Sequence, residues 1–128
     1  MQKIINSEIR NRVAKIWLRE DGIIQMVVDP RAKYTLADTR ESLESIVKAS
    51  KGKRRPLLAD VRNIESADFA TRQETAAFEE ATSVGVLIDS RVSRLIGNVY
   101  INFSKPVIPT RLFTSEAEAV EWLKEFME

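Results

Sequence analysis

The chain has 128 residues, of which 44% are hydrophobic and 30% are charged, and its 20 lysines and arginines nearly balance its 19 acidic residues. This length predicts one domain, and the balanced charge argues against a dedicated nucleic-acid binder. Because the chain has no cysteine and no histidine, disulfides, cysteine nucleophiles, thiolate metal sites and histidine bases are excluded. We therefore expect no catalytic residue, no metal site and no cofactor.

Neither a membrane span nor a secretion signal is predicted. No apolar run approaches the roughly 20 residues that a membrane span requires. The first residues, MQKIINSEIRNR, lack the continuous apolar segment of a signal peptide. We expect a cytoplasmic protein whose domain runs from residue 12 to residue 128. Residues 1–11 are expected to be an extension, and the sequence leaves their structure open.

The first predicted element is a β-hairpin over residues 12–29, turning at Asp21-Gly22. One of its faces is apolar, whereas the other mixes polar and apolar residues. Such a hairpin is typical of a sheet edge that is partly in contact with water. Its unpaired backbone groups would permit a homodimer.

Helices and strands then alternate along the chain. A capping box at Thr35-x-x-Asp38 predicts a helix that ends near Gly52. A final helix is predicted to begin at Ser115. Between them the pattern predicts a strand at 56–61, a helix from about Phe69 to Thr82, and strands at 84–89 and 109–114. This alternation indicates parallel strands joined by right-handed crossovers.

The segment from Arg91 to Pro106 fits two periodicities. Its apolar residues have helical spacing, at Val92, Leu95, Ile96, Val99 and Phe103. The end of the segment also alternates as a strand would. Two parallel strands flank it and need a crossover, which is usually helical. We therefore predict a helix that begins after Ser90, with its apolar stripe facing the core.

With this order of elements, the chain resembles the STAS / SpoIIAA-like group of anti-anti-sigma factors. The matching segments are WLREDGIIQMVV, KRRPLLADVRNI, VLIDSRVSRLIGNVYINFSKPVIPTRLFT and EAVEWL. The resemblance implies an α/β fold, a SpoIIAA-like β/α superhelix with an N-terminal hairpin, about five mostly parallel strands and four helices. It also implies that the segment before Pro106 is a helix, in agreement with the crossover argument.

The resemblance implies a binding domain rather than an enzyme. Some members of the group switch a partner surface by phosphorylation, and others bind partners, nucleotides or lipids. We therefore predict a domain that binds a protein partner, or a second copy of itself, in bacterial regulation. The alternative is a carrier of a small ligand or lipid that uses an apolar cavity under helix 91–104.

Three groups of candidate site residues follow from these hypotheses. Ser66 is a candidate phosphosite by its position, although IESADFATR lacks the Ser-Ser-Gly run of phosphorylated members; the simpler interpretation is that Ser66 or Asp68 caps the next helix. The candidate partner surface comprises Asp68, Arg72 and Glu79. The candidate ligand or anion contacts are Arg91, Arg94, Tyr100, Lys53, Arg54 and Arg55, and their simpler interpretation is a solvated rim and loop.

Overall fold

A six-stranded sheet lies at the centre of the computed structural model, which describes residues 8–127 apart from the side chain of Phe103. The strands are β1 (Ile9–Arg10), β2 (Ala14–Leu18), β3 (Ile24–Val28), β4 (Lys33–Tyr34), β5 (Arg55–Asp60), β6 (Ser66–Ala67), β7 (Ala81–Leu87) and β8 (Thr110–Phe113). The helices are α1 (Leu36–Ala49), α2 (Phe69–Ala76), α3 (Arg91–Val99) and α4 (Glu116–Leu123). The main sheet has the order β1-β2-β3-β5-β7-β8.

The predicted hairpin and parallel strands are confirmed. Strands β2 and β3 are antiparallel around Asp21-Gly22, with Ala14 opposite Val28. Strands β3, β5, β7 and β8 are parallel. The fold class is therefore α/β, with a mostly parallel sheet and an N-terminal antiparallel hairpin.

The sheet has one strand more at its start than the sequence predicts. Strand β1 pairs antiparallel with β2, and Ile9 lies opposite Ile16. Strand β1 therefore lies within the segment that was expected to be an extension, and the main sheet has six strands, close to the five expected. Residues 1–7 of the predicted extension lie outside the described residues. A two-residue strand carries too little alternation to be recognised from sequence.

Helices cover both faces of the sheet. Leu57 and Leu58 are neighbours on β5, so their side chains point to opposite faces. Leu57 belongs to the core that α1 helps to cover, whereas Leu58 packs with Ala119 and Leu123 of α4. Helices α1, α2 and α3 lie on the Leu57 face. In the part of the chain that the structure describes, no helix is long and apolar enough to cross a membrane.

Helix α2 is shorter than the sequence predicts. It ends at Ala76, and Ala81 and Thr82, which were expected in the helix, already belong to β7. The carbonyl groups of Glu79 and Ala81 accept hydrogen bonds from Arg54, which holds this connection in a non-helical path. The prediction failed because the alanine-rich run favours helix locally, whereas the tertiary pairing of β7 with β5 determines the outcome.

The segment from Arg91 to Pro106 is helical up to Ser104, as predicted. The prediction that its whole apolar stripe faces the core is wrong. Ser90 caps α3 by accepting a hydrogen bond from the Ser93 amide at 3.0 Å. The buried residues of α3 are Ser93 and Gly97, whereas Val92 is 47% exposed and Leu95 is 64% exposed. The core-facing side therefore combines Ser93 and Gly97 with the half-buried Ile96, which packs against the core, so only part of the predicted stripe faces inward. Phe103, the last residue of the predicted stripe, has a side chain outside the described part.

Gly97 explains how α3 is seated on the sheet. A Cβ atom at this position would lie 3.1 Å from Leu112 Cδ2, so the helix backbone approaches β8 more closely than most side chains allow. Beyond Val99 the helix widens into a π-helical turn, Tyr100–Ser104. The Lys105 amide closes this turn by donating to the Tyr100 carbonyl at 3.2 Å.

Candidate functional site

A cavity of about 120 Å³ lies between the sheet and helices α1, α2 and α3. Its floor consists of apolar side chains from β3, β5 and β7, namely Met26, Val28, Leu57, Ala59, Val84 and Val86. The helices contribute small groups over part of the roof, including Thr39, Ser42, Thr71 and Gly97. These short side chains leave the space between helix and sheet unfilled. The cavity extends beneath α3, where the ligand-carrier hypothesis predicts one.

Most polar groups around the cavity are already paired. The Tyr34 hydroxyl and Ser42 Oγ are 2.5 Å apart and form a buried hydrogen bond. Burial raises the pKa of Tyr34, and the bond to Ser42 partly offsets that rise. The Thr75 hydroxyl donates to the carbonyl of Thr71 at 2.9 Å. These groups stabilise the walls of the cavity and are not available to a ligand.

Arg72 is the one charged residue that lines the cavity within the described part of the chain. Its Nη1 donates a hydrogen bond to the carbonyl of Ala67. Its Nε is buried and has no hydrogen-bond partner, and among residues 8–127 the guanidinium forms no salt bridge. The side chain is half-buried, so it links the apolar interior to solvent.

Tyr100 is the second polar residue at the cavity without a partner. Its side chain is buried, and burial raises its pKa well above the ordinary value. Its hydroxyl makes no hydrogen bond to any residue between 8 and 127. Tyr100 begins the π-helical turn, which packs against α2, the helix that carries Arg72.

Asp68 caps α2, and Ser66 lies outside the helix. Asp68 Oδ1 accepts a hydrogen bond from the Thr71 amide at 2.8 Å. This bond is the main reason that the pKa of Asp68 is lowered, and the positive charge of Arg72 adds to it. Ser66 is exposed on β6, where it lies opposite Lys33. Its phosphorylation stays a prediction.

The three candidate partner residues do not form one continuous group. Asp68 lies at the start of α2, and Glu79 lies exposed beyond its end. Eight helical residues separate these ends, a distance of roughly 12 Å. Arg72 lines the cavity. These placements leave partner binding by Asp68 and Glu79 as a prediction.

An exposed apolar surface lies nearby. Phe69, at the start of α2, is 67% exposed, as are large fractions of Val92 and Leu95 on α3. We call these three residues the α2–α3 apolar surface. Helix α3 packs against β6, the strand directly before α2, which places α3 near the start of α2. The only sequence signal for this surface was the strong amphipathicity of α3.

The other candidate cations have different surroundings. Arg91 and Arg94 are exposed on α3 and do not line the cavity. Arg54 bonds to two backbone carbonyls, and Arg55 Nε donates to the Ser50 carbonyl at 2.9 Å. Lys53 is exposed. The basic segment therefore contributes to backbone packing at the end of β5, and anion binding there stays a prediction.

Among the described residues, no three acidic side chains are grouped so that they could hold a metal ion. The surface that lines the cavity is almost entirely apolar, so the cavity offers apolar contact to a small molecule.

Comparison with solved structures confirms the predicted SpoIIAA-like fold. One match is an uncharacterized protein of the DUF3478 family with a SpoIIAA-like fold, from Shewanella loihica PV-4. It is 13% identical, the match covers 90% of this chain and 98% of that chain, and the TM-score is 0.57. A second match is a protein with unknown function from Arthrobacter sp. FB24, 25% identical over 85% of this chain and 97% of that chain, with a TM-score of 0.35.

Sequence comparison gives the family. A comparison with curated proteins found no match. A family model described as "Domain of unknown function (DUF7793)" matches residues 16–127. Because this match covers most of the chain, the protein belongs to the DUF7793 family.

Proposed function

We propose that this chain is a non-enzymatic SpoIIAA-like domain that binds a small apolar molecule in the cavity beneath α1, α2 and α3. The observation that supports this proposal is the cavity of about 120 Å³ with its apolar floor. An engineered apolar cavity of about 150 Å³ stays dry and binds benzene. The cavity here is of similar size, so its occupant is a molecule with an apolar body about as large as one aromatic ring.

The cost of leaving the cavity empty favours an occupant. The side chains around an unfilled apolar volume of about 120 Å³ lack packing partners on that side. A ligand that fills the space recovers dispersion contacts with the floor and the roof. The half-buried side chains at its margin, such as Leu43 and Phe78, give the ligand a route of entry.

Binding of benzene, followed by NMR of the isotope-labelled protein, tests this proposal. We expect benzene to shift the resonances of Ala59, Val86 and Gly97, which line the cavity. An Ala59→Leu variant should lose this binding because the larger side chain occupies the floor. Ala117→Leu makes the same change at an exposed position on α4 and should bind as the wild type does. Shifts confined to residues outside the cavity would contradict the proposal.

A second candidate function is the binding of a protein partner at the α2–α3 apolar surface. The supporting observation is that Phe69 and Leu95 are each about two-thirds exposed, and grouped exposure of large apolar residues marks interaction sites. The exposed cations Arg91 and Arg94 lie on the same helix as Leu95. We therefore propose a partner whose apolar contact is bordered by acidic residues, in keeping with a regulatory role.

Pull-down with matched variants tests the partner surface. We expect Leu95→Glu to lose a protein that both the wild type and Val47→Glu retain, because Val47 is also exposed but lies on α1. Asp68→Asn and Glu79→Lys examine the two other candidate surface residues. If Leu95→Glu and Val47→Glu recover the same proteins as the wild type, this surface is not the binding site.

A further inference from the structure

We infer that the partner of the α2–α3 apolar surface is a second copy of this chain, which presents an acidic groove at the end of α2. This inference rests on the second candidate function, since it names the partner that the surface binds. Two patches of opposite charge, near the two ends of α2, support it. Each patch combines apolar side chains at the surface with charged side chains that have no partner in the described part of the chain.

The patch near the start of α2 is apolar and basic. Phe69 and Leu95 are largely exposed there. Arg91 and Arg94 are exposed on the same helix as Leu95, and neither guanidinium forms a salt bridge or a hydrogen bond with any residue between 8 and 127. We call these four residues the basic patch. Large apolar side chains beside unpaired cations are complementary to a surface that is both apolar and acidic.

The patch beyond the end of α2 has that chemistry. An open groove lies between α1 and the end of α2, and it is lined by Leu43, Glu74, Ala77, Phe78, Glu79 and Glu80. Glu74 is paired with Arg40 at 3.5 Å. Glu79 and Glu80 are exposed, and among residues 8–127 their carboxylates form no salt bridge. We call this groove the acidic groove, and it offers apolar contact together with two unpaired negative charges.

The positions of the two patches are compatible with a closed dimer. Both lie on the helices that cover the Leu57 face of the sheet, and the eight residues of α2 separate them, a distance of roughly 12 Å. A twofold axis across the middle of α2 places this helix antiparallel to α2 of the second copy. The basic patch of each copy then contacts the acidic groove of the other. One symmetric interface therefore pairs both patches of both copies.

Sedimentation velocity of the full chain tests for this dimer. We expect a monomer–dimer equilibrium with a dissociation constant in the micromolar range, because two small patches give an interface at the low end of the specific range. Leu95→Glu should raise that constant at least about tenfold, since it places a charge in the apolar centre of the contact. A wild type that stays monomeric up to about 1 mM overturns the inference.

Charge reversal assigns the contact to the two patches. Arg91→Glu/Arg94→Glu places acids against the acidic groove, and Glu79→Arg/Glu80→Arg places arginines against the basic patch. Each variant alone should raise the dissociation constant at least about tenfold, because like charges then face each other. An equimolar mixture should restore it to within about threefold of the wild-type value, because both contacts of the mixed dimer join opposite charges. Recovery in the mixture also shows that both variants are folded.

Glu118→Arg/Glu125→Arg is the matched control. Both glutamates are exposed, on α4 and directly after it, so they lie on the opposite face of the sheet. This variant should dimerise as the wild type does. If the mixture of the two charge-reversed variants stays monomeric, or if the control weakens the dimer as much as they do, the inference is wrong.

The outcomes separate this inference from the function on which it rests. If the wild type is monomeric and the pull-down recovers a protein that Leu95→Glu loses, the partner surface stands and self-association is overturned. If Leu95→Glu changes neither the dimer nor the recovered proteins, both are overturned.

Discussion

At the scale of single residues, Asp38 shows how strongly one carboxylate can be tied into this fold. Its side chain is only 7% exposed. It accepts hydrogen bonds from Arg12 Nε at 2.8 Å and from the Thr35 amide at 3.0 Å. The bond from Arg12 is the main reason that the pKa of Asp38 lies far below its usual value. These contacts join the chain before β2 to the start of α1.

We predict that Asp38→Asn destabilises the protein in a pH-dependent way. Because the pKa is lower in the folded state, the ionised carboxylate stabilises the fold above the unfolded value of about 3.9, and this contribution is lost as pH falls toward the folded pKa. We expect a loss of about 1–2 kcal/mol at pH 7, since Arg12 is largely solvated. Urea denaturation at pH 7, 5 and 3 measures it.

Two results would decide the interpretation of Asp38. The difference between wild type and Asp38→Asn should shrink at pH 3, and an equal difference at all three pH values would contradict the electrostatic explanation. Asp89→Asn is the control, because Asp89 is exposed. Its effect should stay within about 0.5 kcal/mol.

The side chain of Tyr100, which is buried at the cavity, leads to a second prediction. Its hydroxyl forms no hydrogen bond to any residue between 8 and 127, so removing it breaks no bond within the described part of the chain. We therefore expect Tyr100→Phe to leave the free energy of unfolding within about 0.5 kcal/mol of the wild type, or to raise it. The affinity for benzene should change little. A large loss of stability in urea denaturation would instead mean that the hydroxyl has a structural role.

At the scale of elements, α3 shows what an amphipathic pattern determines and what it leaves open. The apolar spacing and the Ser90 cap were sufficient to predict a helix. They did not determine which face turns inward. The inward face depends on the fit between Gly97 and Leu112, residues that lie on different elements, and on Ser93, whose hydroxyl is bonded at the helix start. This fit is a tertiary property.

The orientation of α3 leads to a third prediction. Leu95 is 64% exposed, so Leu95→Ala should change the free energy of unfolding by no more than about 0.5 kcal/mol. A leucine in the core would cost about 2–5 kcal/mol on the same substitution. Leu87→Ala serves as the comparison, because Leu87 is fully buried on β7. Equal losses for the two variants in chemical denaturation would mean that α3 presents its apolar side to the sheet.

The sequence assigned the residues of the candidate site to separate groups. Arg72 was assigned from sequence to a partner surface and Tyr100 to a ligand rim, whereas the structure places both at one cavity. They are far apart in the chain, and their proximity follows from the packing of the π-helical turn against α2. The cavity itself arises because side chains such as Ser42 and Thr71 are short. Unfilled volume has no sequence periodicity, so it could be expected only by analogy.

At the scale of the whole molecule, the cavity lies within the main core, between the central strands β5 and β7 and three helices. A ligand bound there contacts elements that form only when the chain folds. It therefore stabilises the folded state by mass action, without binding the unfolded chain. Ligand binding in the cavity can therefore be measured as a change in the free energy of unfolding of the whole protein.

We predict that benzene at 100 times its dissociation constant raises the free energy of unfolding by about 2.7 kcal/mol. Urea denaturation should show a higher midpoint. The slope of the free energy of unfolding against urea concentration should stay the same, because the surface exposed on unfolding does not change. Ala59→Leu should show no such increase, because its side chain fills the cavity. Ala117→Leu should respond as the wild type does. If benzene stabilises Ala59→Leu as much as the wild type, it binds outside the cavity.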